Sequence, residues 1–275
     1  MKFLIIKTGQ HETFDIEERL PLVSLGDVLR STVLTHALAD VTWFSSPESQ
    51  RLLQGQKQVS SIESRDFDVV INLENSEEIC KQLKNNTIGF IGKNYLRCFD
   101  GKELSLSDFL AQNANLNWPQ KLFKLVGKEW KQERPVLSVH EVRKKSHLGL
   151  NWKVGPKWPT KDWGKENWKE VHARLSQDYK VSWQEGFDNL DAYIEWIQSV
   201  QVLLTHDSLG LHIAQALKIP VVALFGPTSS KEIPLYEEDI FLNFHHDPDL
   251  TPAQIEVILK QVILRSENES SIRWK

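Results

Sequence analysis

The sequence predicts an α/β protein made of two successive units, each a parallel sheet flanked by helices. Two observations carry this. Short apolar, β-rich runs alternate with stretches of helical periodicity, the rhythm of βαβ units. That rhythm breaks once, over residues 104–134, and then restarts. A chain of 275 residues is also long for one core and comfortable for two.

Taken in order, "KFLIIK" opens the chain as a strand. From Gly26, "GDVLRSTVLTHALA" places Val33 with Ala37, and Leu34 with Leu38, at helical spacing. "VTWFSS" reads as a strand, followed by a helix from Pro47; "FDVVINL" is a strand, "SEEICKQL" a helix and "TIGFIG" a strand. The less regular stretch, helical around "PQKLFKLVGKEW", reads as the connection, giving domains 1–130 and 131–275. The second half runs "PVLSV" and "HLGLNW" as strands, a helix from Lys165, "YKVSW" as a strand and a helix near Leu190–Gln198. "VQVLLTH" follows as a strand, then a helix from Leu209, "PVVALFG" as a strand and a closing helix near Pro252–Leu264.

Composition narrows the function. A formal net charge of −4 does not suggest a general polyanion binder. Cys80 and Cys98 are too far apart for a metal knuckle and fit a reducing, cytoplasmic compartment. "FLIIK" is too short for a signal segment, and no run approaches the ~18–20 apolar residues that span a bilayer. No Gly-x-Gly-x-x-Gly follows a strand, which argues against a dinucleotide oxidoreductase. Ten tryptophans are unusual; they are expected in the core rather than lining a groove. Lys121, Lys124 and Lys128, near Trp118 and Phe123, read as an ordinary helix face, with a basic aromatic surface for peripheral membrane contact as the competing reading.

In open α/β sheets ligands bind outside the carboxyl ends of the strands, so the loops there matter most. "LLTHDSLGLHIAQAL" delivers His206, Asp207 and Ser208 from a strand to a helix that starts near Leu209. The unpaired N–H groups and dipole of that helix start suit a phosphate. An N-cap role explains Asp207 or Ser208 alone, but not His206, Asp207, Ser208 and His212 together. "PVVALFGPTSS" ends in Gly226-Pro227-Thr228-Ser229, either a plain turn or a second loop on the same rim. In "KVGPKWPTKDWGKENWKEV", Lys157 and Lys165 read as solvated. Lys161, beside Thr160 and Trp163, is placed to neutralise a diphosphate leaving group. In "SLGDVLRST", Asp27 is either a helix-start residue or a catalytic base. Asp66-Phe67-Asp68 reads as a strand-edge pair rather than a metal clamp, and no third-ligand spacing supports a metal at "HHD", residues 245–247.

Together "SLGDVLRST", "KWPTKDWGKENW" and "THDSLGLHIAQALKIPVVALFGPTSS", in this order, resemble glycosyltransferase family 9, the heptosyltransferase family of bacterial envelope polysaccharides. The resemblance covers nearly the whole chain. It implies a GT-B fold: two Rossmann-like, doubly wound domains facing across a cleft, the first for an acceptor and the second for a nucleotide-activated sugar. The family's general base falls on Asp27, with Gly26 and Arg30 as candidate acceptor contacts. Donor binding falls on Thr160, Lys161, Asp207, Ser208, Leu209, Gly210 and His212. Leu209 departs from the family's usual glycine, Gly210 being displaced by one position. The segment Gly9–Val23 is much longer than in relatives and reads as a lid or an acceptor-specific loop.

The implied activity is metal-independent, inverting transfer of a sugar, heptose from ADP-heptose, to a glycolipid or polysaccharide such as lipopolysaccharide core. No cofactor, metal or nucleic-acid partner is expected. The place of action is the cytoplasm, with peripheral contact at the inner membrane surface as a possible addition. The alternatives are a transferase using another nucleotide sugar or acceptor, and a non-catalytic nucleotide-sugar-binding relative. Asp27→Asn is expected to cut turnover at least ~10²-fold while leaving folding intact.

Overall fold

A computed structural model describes residues 1–15, 22–62, 66–155, 157–186, 189–247 and 250–272. The chain divides into two compact units, Met1–Ser138 with Lys231–Pro234, and Val139–Ser230 with Leu235–Lys275.

Unit 1 contains strands β1 (Phe3–Ile6), β2 (Val41–Phe44), β3 (Lys57–Val59), β4 (Val69–Asn72), β5 (Thr87–Gly92), β6 (Tyr95–Arg97) and β7 (Glu103–Ser105). They form one sheet in the order β3-β2-β1-β4-β5-β6-β7. β1 to β5 are parallel, while β6 and β7 extend the edge as an antiparallel hairpin. β1 is buried along its whole length, which is why it reads as an unbroken apolar run rather than an alternating one. Leu4, Ile6 and Val70 form one core cluster with Phe44, Val59 and Ile79 around it.

The helices of unit 1 are α1 (Leu25–Ser31), α2 (Glu77–Cys80), α3 (Leu106–Gln112) and α4 (Trp118–Leu125). The helical pattern from Gly26 is realised in two pieces, α1 and then a 3₁₀ segment, Thr32–His36. Ser31 and Thr32 hydroxyls donate back to the carbonyls of Asp27 and Leu29, at 2.7 and 2.6 Å. Such back-bonding competes with a regular ladder. The helix expected from Pro47 is likewise a 3₁₀ segment, Pro47–Leu53. "PVLSV" is not a strand: the Val136 N–H, which a ladder would need, goes to Thr32 Oγ1 at 2.7 Å. In α4, Trp118, Lys121 and Phe123 are all buried, so its aromatic face belongs to the core.

Unit 2 contains strands β8 (Ser146–Asn151), β9 (Val181–Trp183), β10 (Val200–His206), β11 (Val221–Phe225) and β12 (Ile240–Asn243). All are parallel, in the order β12-β11-β10-β8-β9. Its helices are α5 (Lys165–Leu175), α6 (Leu190–Gln198), α7 (Leu209–Ala216) and α8 (Pro252–Ile272). Leu148, Leu150, Val202, Leu204, Val222 and Leu224 share one face of the sheet and pack with Trp168, Val171, Leu175 of α5 and Ile255, Leu259, Ile263 of α8. Trp43, Trp118, Trp163 and Trp168 are buried, so these four are core residues. No helix among the described residues is long and apolar enough to cross a membrane.

Strand order locates the functional ends. In unit 1 the order reverses between β1 and β4. In unit 2, numbering from β8, the order is 2-1-3-4-5, and it reverses between β8 and β10. Crevices at such switch points, beyond the strand carboxyl ends, are where open α/β sheets bind ligands.

Candidate functional site

At the unit 1 switch point, Lys7 follows β1, Glu74 lies two residues beyond β4, and Asp27 sits in the first turn of α1. The side chains of all three have no exposed surface. Five donor atoms converge on Asp27: Lys7 Nζ in direct ion-pair contact, Arg30 Nε at 2.9 Å with Nη2 beside it, and Thr13 N and Oγ1, each at 3.1 Å. An ionised carboxylate has about four lone-pair sites, so Asp27 is fully engaged. Burial opposes its charge, but Lys7 and Arg30 outweigh burial and hold its carboxyl well below the usual range. Arg30 is itself fixed, its guanidinium 4.1 Å from the centre of the Trp118 ring. Gly26 lies half-buried in the same turn.

Sequence reasoning missed Lys7 and Glu74. Glu74 Oε1 accepts the N–H groups of Thr8 and Gly9 at 2.7 and 2.8 Å, and Oε2 that of His11 at 3.1 Å. Its carboxylate thus fills an anion nest made by the start of the long segment. Lys7 Nζ lies 3.3 Å from Glu74 and bonds the His11 carbonyl. The segment closes on itself where the Ser24 N–H donates to Gly9 O at 2.7 Å. Gly9 has φ +80°, and a Cβ there would meet Val28 Cγ2 at 3.0 Å, so a side chain would be both strained and crowded. Phe14 stacks on Phe109, centroids 5.6 Å apart, and meets Trp118 edge-on at 5.5 Å. The described part of the segment, up to Asp15, is therefore packed down. The rest of the expected lid includes residues 16–21, outside the described residues.

At the unit 2 switch point, β10 delivers His206 and Asp207. Lys161 Nζ donates to Asp207 Oδ2 at 2.6 Å and to its backbone carbonyl at 3.0 Å. Thr228 Oγ1 donates to the same Oδ2 at 3.0 Å, so the Gly226–Ser229 loop lies at this rim. Burial would raise the Asp207 carboxyl, but Lys161, with His212 and the Thr228 hydroxyl, keeps it below its ordinary range. Lys161 is also near the Trp158 ring, 4.8 Å from its centre. Thr160 is exposed in the 3₁₀ turn Pro159–Lys161, and His212 is buried within α7.

Ser208 is the N-cap residue of α7 but makes no side-chain cap bond among the described residues. Asn151, at the end of β8, holds it instead: Nδ2 reaches Thr205 Oγ1 at 2.7 Å and Ser208 Oγ at 3.2 Å. Tyr193 Oη in turn donates to Asn151 Oδ1 at 2.9 Å. A Cβ on Gly210 would lie 2.4 Å from Asn151 Nδ2 and 2.5 Å from Tyr193 Oη. A side chain at position 210 would therefore collide with this pair, while Leu209 is half-buried before it. Asn151 and Tyr193 left no sequence signal, since each sits in an ordinary strand or helix pattern.

His206 is fully buried against the Trp168 ring, centroids 4.9 Å apart. Its Nε2 accepts the Trp163 N–H at 3.1 Å, so the neutral ring carries its proton on Nδ1, which has no hydrogen-bond partner among the described residues. Burial pushes this imidazole down to about 4. An unfolded histidine titrates near pH ~6.5, so the unfolded state takes up the proton first as pH falls. Stability from this residue is complete above that value and drains away as pH falls towards the folded one, by about 2 kcal/mol between pH 7 and 5. Urea unfolding at those two pH values should show the loss, and His206→Gln should remove that part of it. An unchanged difference in the variant would contradict the assignment.

Asp68 accepts the Lys2 N–H at 2.7 Å and so serves the strand edge. Among the described residues no group of three or more His, Cys, Asp or Glu side chains is arranged to hold a metal ion.

Several solved structures share the fold of this chain. ADP-heptose lipopolysaccharide heptosyltransferase II of E. coli superposes with a TM-score of 0.66 at 16% identity, over 97% of this chain and 100% of that one. The E. coli heptosyltransferase WaaC, solved with ADP, gives 0.64 at 13% identity, over 95% and 100%. The dodecameric, iron-containing heptosyltransferase TibC of enterotoxigenic E. coli gives 0.56 at 12% identity, over 97% and 76%. No curated protein matches the chain at the level of sequence. The fold is thus the two-unit α/β fold of GT-B glycosyltransferases. Residues 187–259 match the family model of glycosyltransferase family 9 (heptosyltransferase). The matched segment contains Asp207, His212 and Thr228, the residues gathered at the unit 2 switch point.

Proposed function

We propose that the chain is an inverting, metal-independent glycosyltransferase that moves a sugar from a nucleoside diphosphate to a glycan or glycolipid hydroxyl. Heptose from ADP-heptose is the favoured donor and lipopolysaccharide core the favoured acceptor, because two of the relatives are named for or solved with those molecules. The observation that carries the reading is the Lys161–Asp207–Thr228 cluster at the start of α7, inside or beside the family-matched segment.

Three tasks follow from the chemistry. The leaving diphosphate gains charge as its bond to the anomeric carbon breaks. Lys161 and the first N–H groups of α7 offset that charge, Lys161 exchanging its bond to Asp207 for one to phosphate. Ser208, held by Asn151, and His212 complete the donor contacts with Thr160, Leu209 and Gly210. In unit 1, Asp27 takes the proton of the attacking hydroxyl, Lys7 and Arg30 fixing its orientation. Gly26 and Arg30 border the acceptor there.

The test is product mass after incubation with ADP-heptose and a lipopolysaccharide core acceptor, in parallel with other nucleotide sugars. A sugar added to the acceptor with release of nucleoside diphosphate is the expected result; donor binding without release would leave a non-catalytic binding protein. Activity should survive EDTA, since Lys161 and the helix start carry the diphosphate charge. Complete loss restored by Mn²⁺, Mg²⁺ or iron would overturn metal independence, and iron belongs in that screen because TibC contains it.

A further inference from the structure

The acceptor hydroxyl of this reaction has to reach a carboxylate that is already fully engaged. Asp27 Oδ2 receives the backbone N–H and the hydroxyl of Thr13, each at 3.1 Å, alongside Lys7. Thr13 is completely buried. Its hydroxyl also lies 3.1 Å from Leu73 O, so its one proton is shared between a carboxylate and a carbonyl. Chemically, an aliphatic alcohol bonded to Asp27 is what the acceptor must become.

Thr13 is held there by what surrounds it. Glu74 clamps the three N–H groups of Thr8, Gly9 and His11 on one side. On the other, Phe14 is wedged against Phe109 and Trp118. Arg30, the partner of the other Asp27 oxygen, rests on the same Trp118 ring. The aromatic seat of the segment and the orientation of the base therefore share one residue.

We infer that residues 9–15 are a built-in plug, in which the Thr13 hydroxyl occupies the acceptor-hydroxyl position on Asp27 and an acceptor binds by displacing it. This rests on the reading of Asp27 as the base. No covalent step is added: the plug leaves, the acceptor O–H takes its place on Oδ2, and transfer proceeds as above. Because only the plug-open fraction can bind, the apparent acceptor affinity is lowered by that fraction. The plug also keeps water from the carboxylate when no acceptor is present, which limits wasteful hydrolysis of the donor.

The test follows ADP release from ADP-heptose in water alone and with a lipopolysaccharide core acceptor. Phe14→Ala loosens the seat without touching Asp27. Thr13→Val keeps the shape and removes the hydroxyl, and so covers the case in which the first variant does not fold. Both are expected to lower the acceptor KM roughly tenfold and to speed ADP release into water by a similar factor, with the donor KM unchanged. Hydrogen exchange at residues 9–15 should also rise when acceptor is added to the parent. Parental rates and an unchanged or raised acceptor KM in both variants would overturn the plug. Should those variants behave like the parent while Asp27→Asn is inactive, the plug alone is refuted. Should Asp27→Asn keep full turnover, the base reading fails and the plug with it.

Discussion

Asp27→Asn is expected to lower turnover at least ~10²-fold and, in addition, to destabilise unit 1 by about 3 kcal/mol. The second effect departs from what the sequence suggests, namely a carboxylate on a helix start that can be neutralised without harm to the fold. Asp27 has no exposed side-chain surface and accepts from Lys7, Arg30 and Thr13. Removing its charge strands Lys7 beside Glu74 alone and turns an Asn N–H₂ group towards one of these donors. Breaking one member out of a buried charge cluster is costly because the remaining charge stays desolvated. Chemical denaturation separates the two effects: a variant measured well inside its folded range isolates the catalytic loss. The same surroundings fix the pH behaviour. Lys7 and Arg30, against the opposing effect of burial, keep Asp27 ionised far into acid, so it contributes no acid limb to the rate profile above about pH 4. Near-parental turnover in the folded variant would remove Asp27 from the mechanism.

The reach of the sequence differs between the two units, for physical reasons. In unit 2 the central strands carry long buried apolar runs, and two helices, α6 and α8, start at side-chain caps. Asn189, for example, accepts the Ala192 N–H at 2.8 Å and starts α6 where the pattern starts. β12 leaves no clear pattern because "IFLN" is a half-buried, four-residue edge strand. In unit 1 the β6–β7 hairpin and β3 are three-residue strands, too short for any periodicity to register. The site divides along the same line. Lys161, Asp207 and Ser208 lie in loops whose composition marks them. Lys7 and Glu74 do not, because a lysine after a strand and a glutamate before a helix are ordinary on any surface. Only the strand order, which sets β1 against β4, shows that residues 67 positions apart in the chain share one buried cluster. Likewise, nothing in "GQHETFDIEERLPLV" distinguishes a loop that projects from one whose Thr13 is buried.

Lys161→Met should abolish detectable transfer or lower it by roughly two orders of magnitude, chiefly through the donor. A charge-assisted bond to phosphate is worth about 1.5–3 kcal/mol, and the developing charge of the leaving group raises that share in the transition state. The variant is also expected to lose stability, by up to about 3 kcal/mol, because Asp207 then keeps its buried charge without its cation, Thr228 and His212 remaining beside it. A fall in activity therefore does not by itself show that Lys161 meets the donor. The double variant Lys161→Met, Asp207→Asn resolves this. With both charges gone, no buried ion is left unpaired, so thermal stability should return close to the parent. Turnover should not return, since the cation that offsets the diphosphate is still missing. Calorimetry with ADP should follow the same division: weak binding in the single and in the double variant alike. If the double variant recovered turnover along with stability, Lys161 would serve only to neutralise Asp207. The diphosphate charge would then have to fall on the α7 start alone, a weaker arrangement because a helix terminus supplies only about half a unit charge.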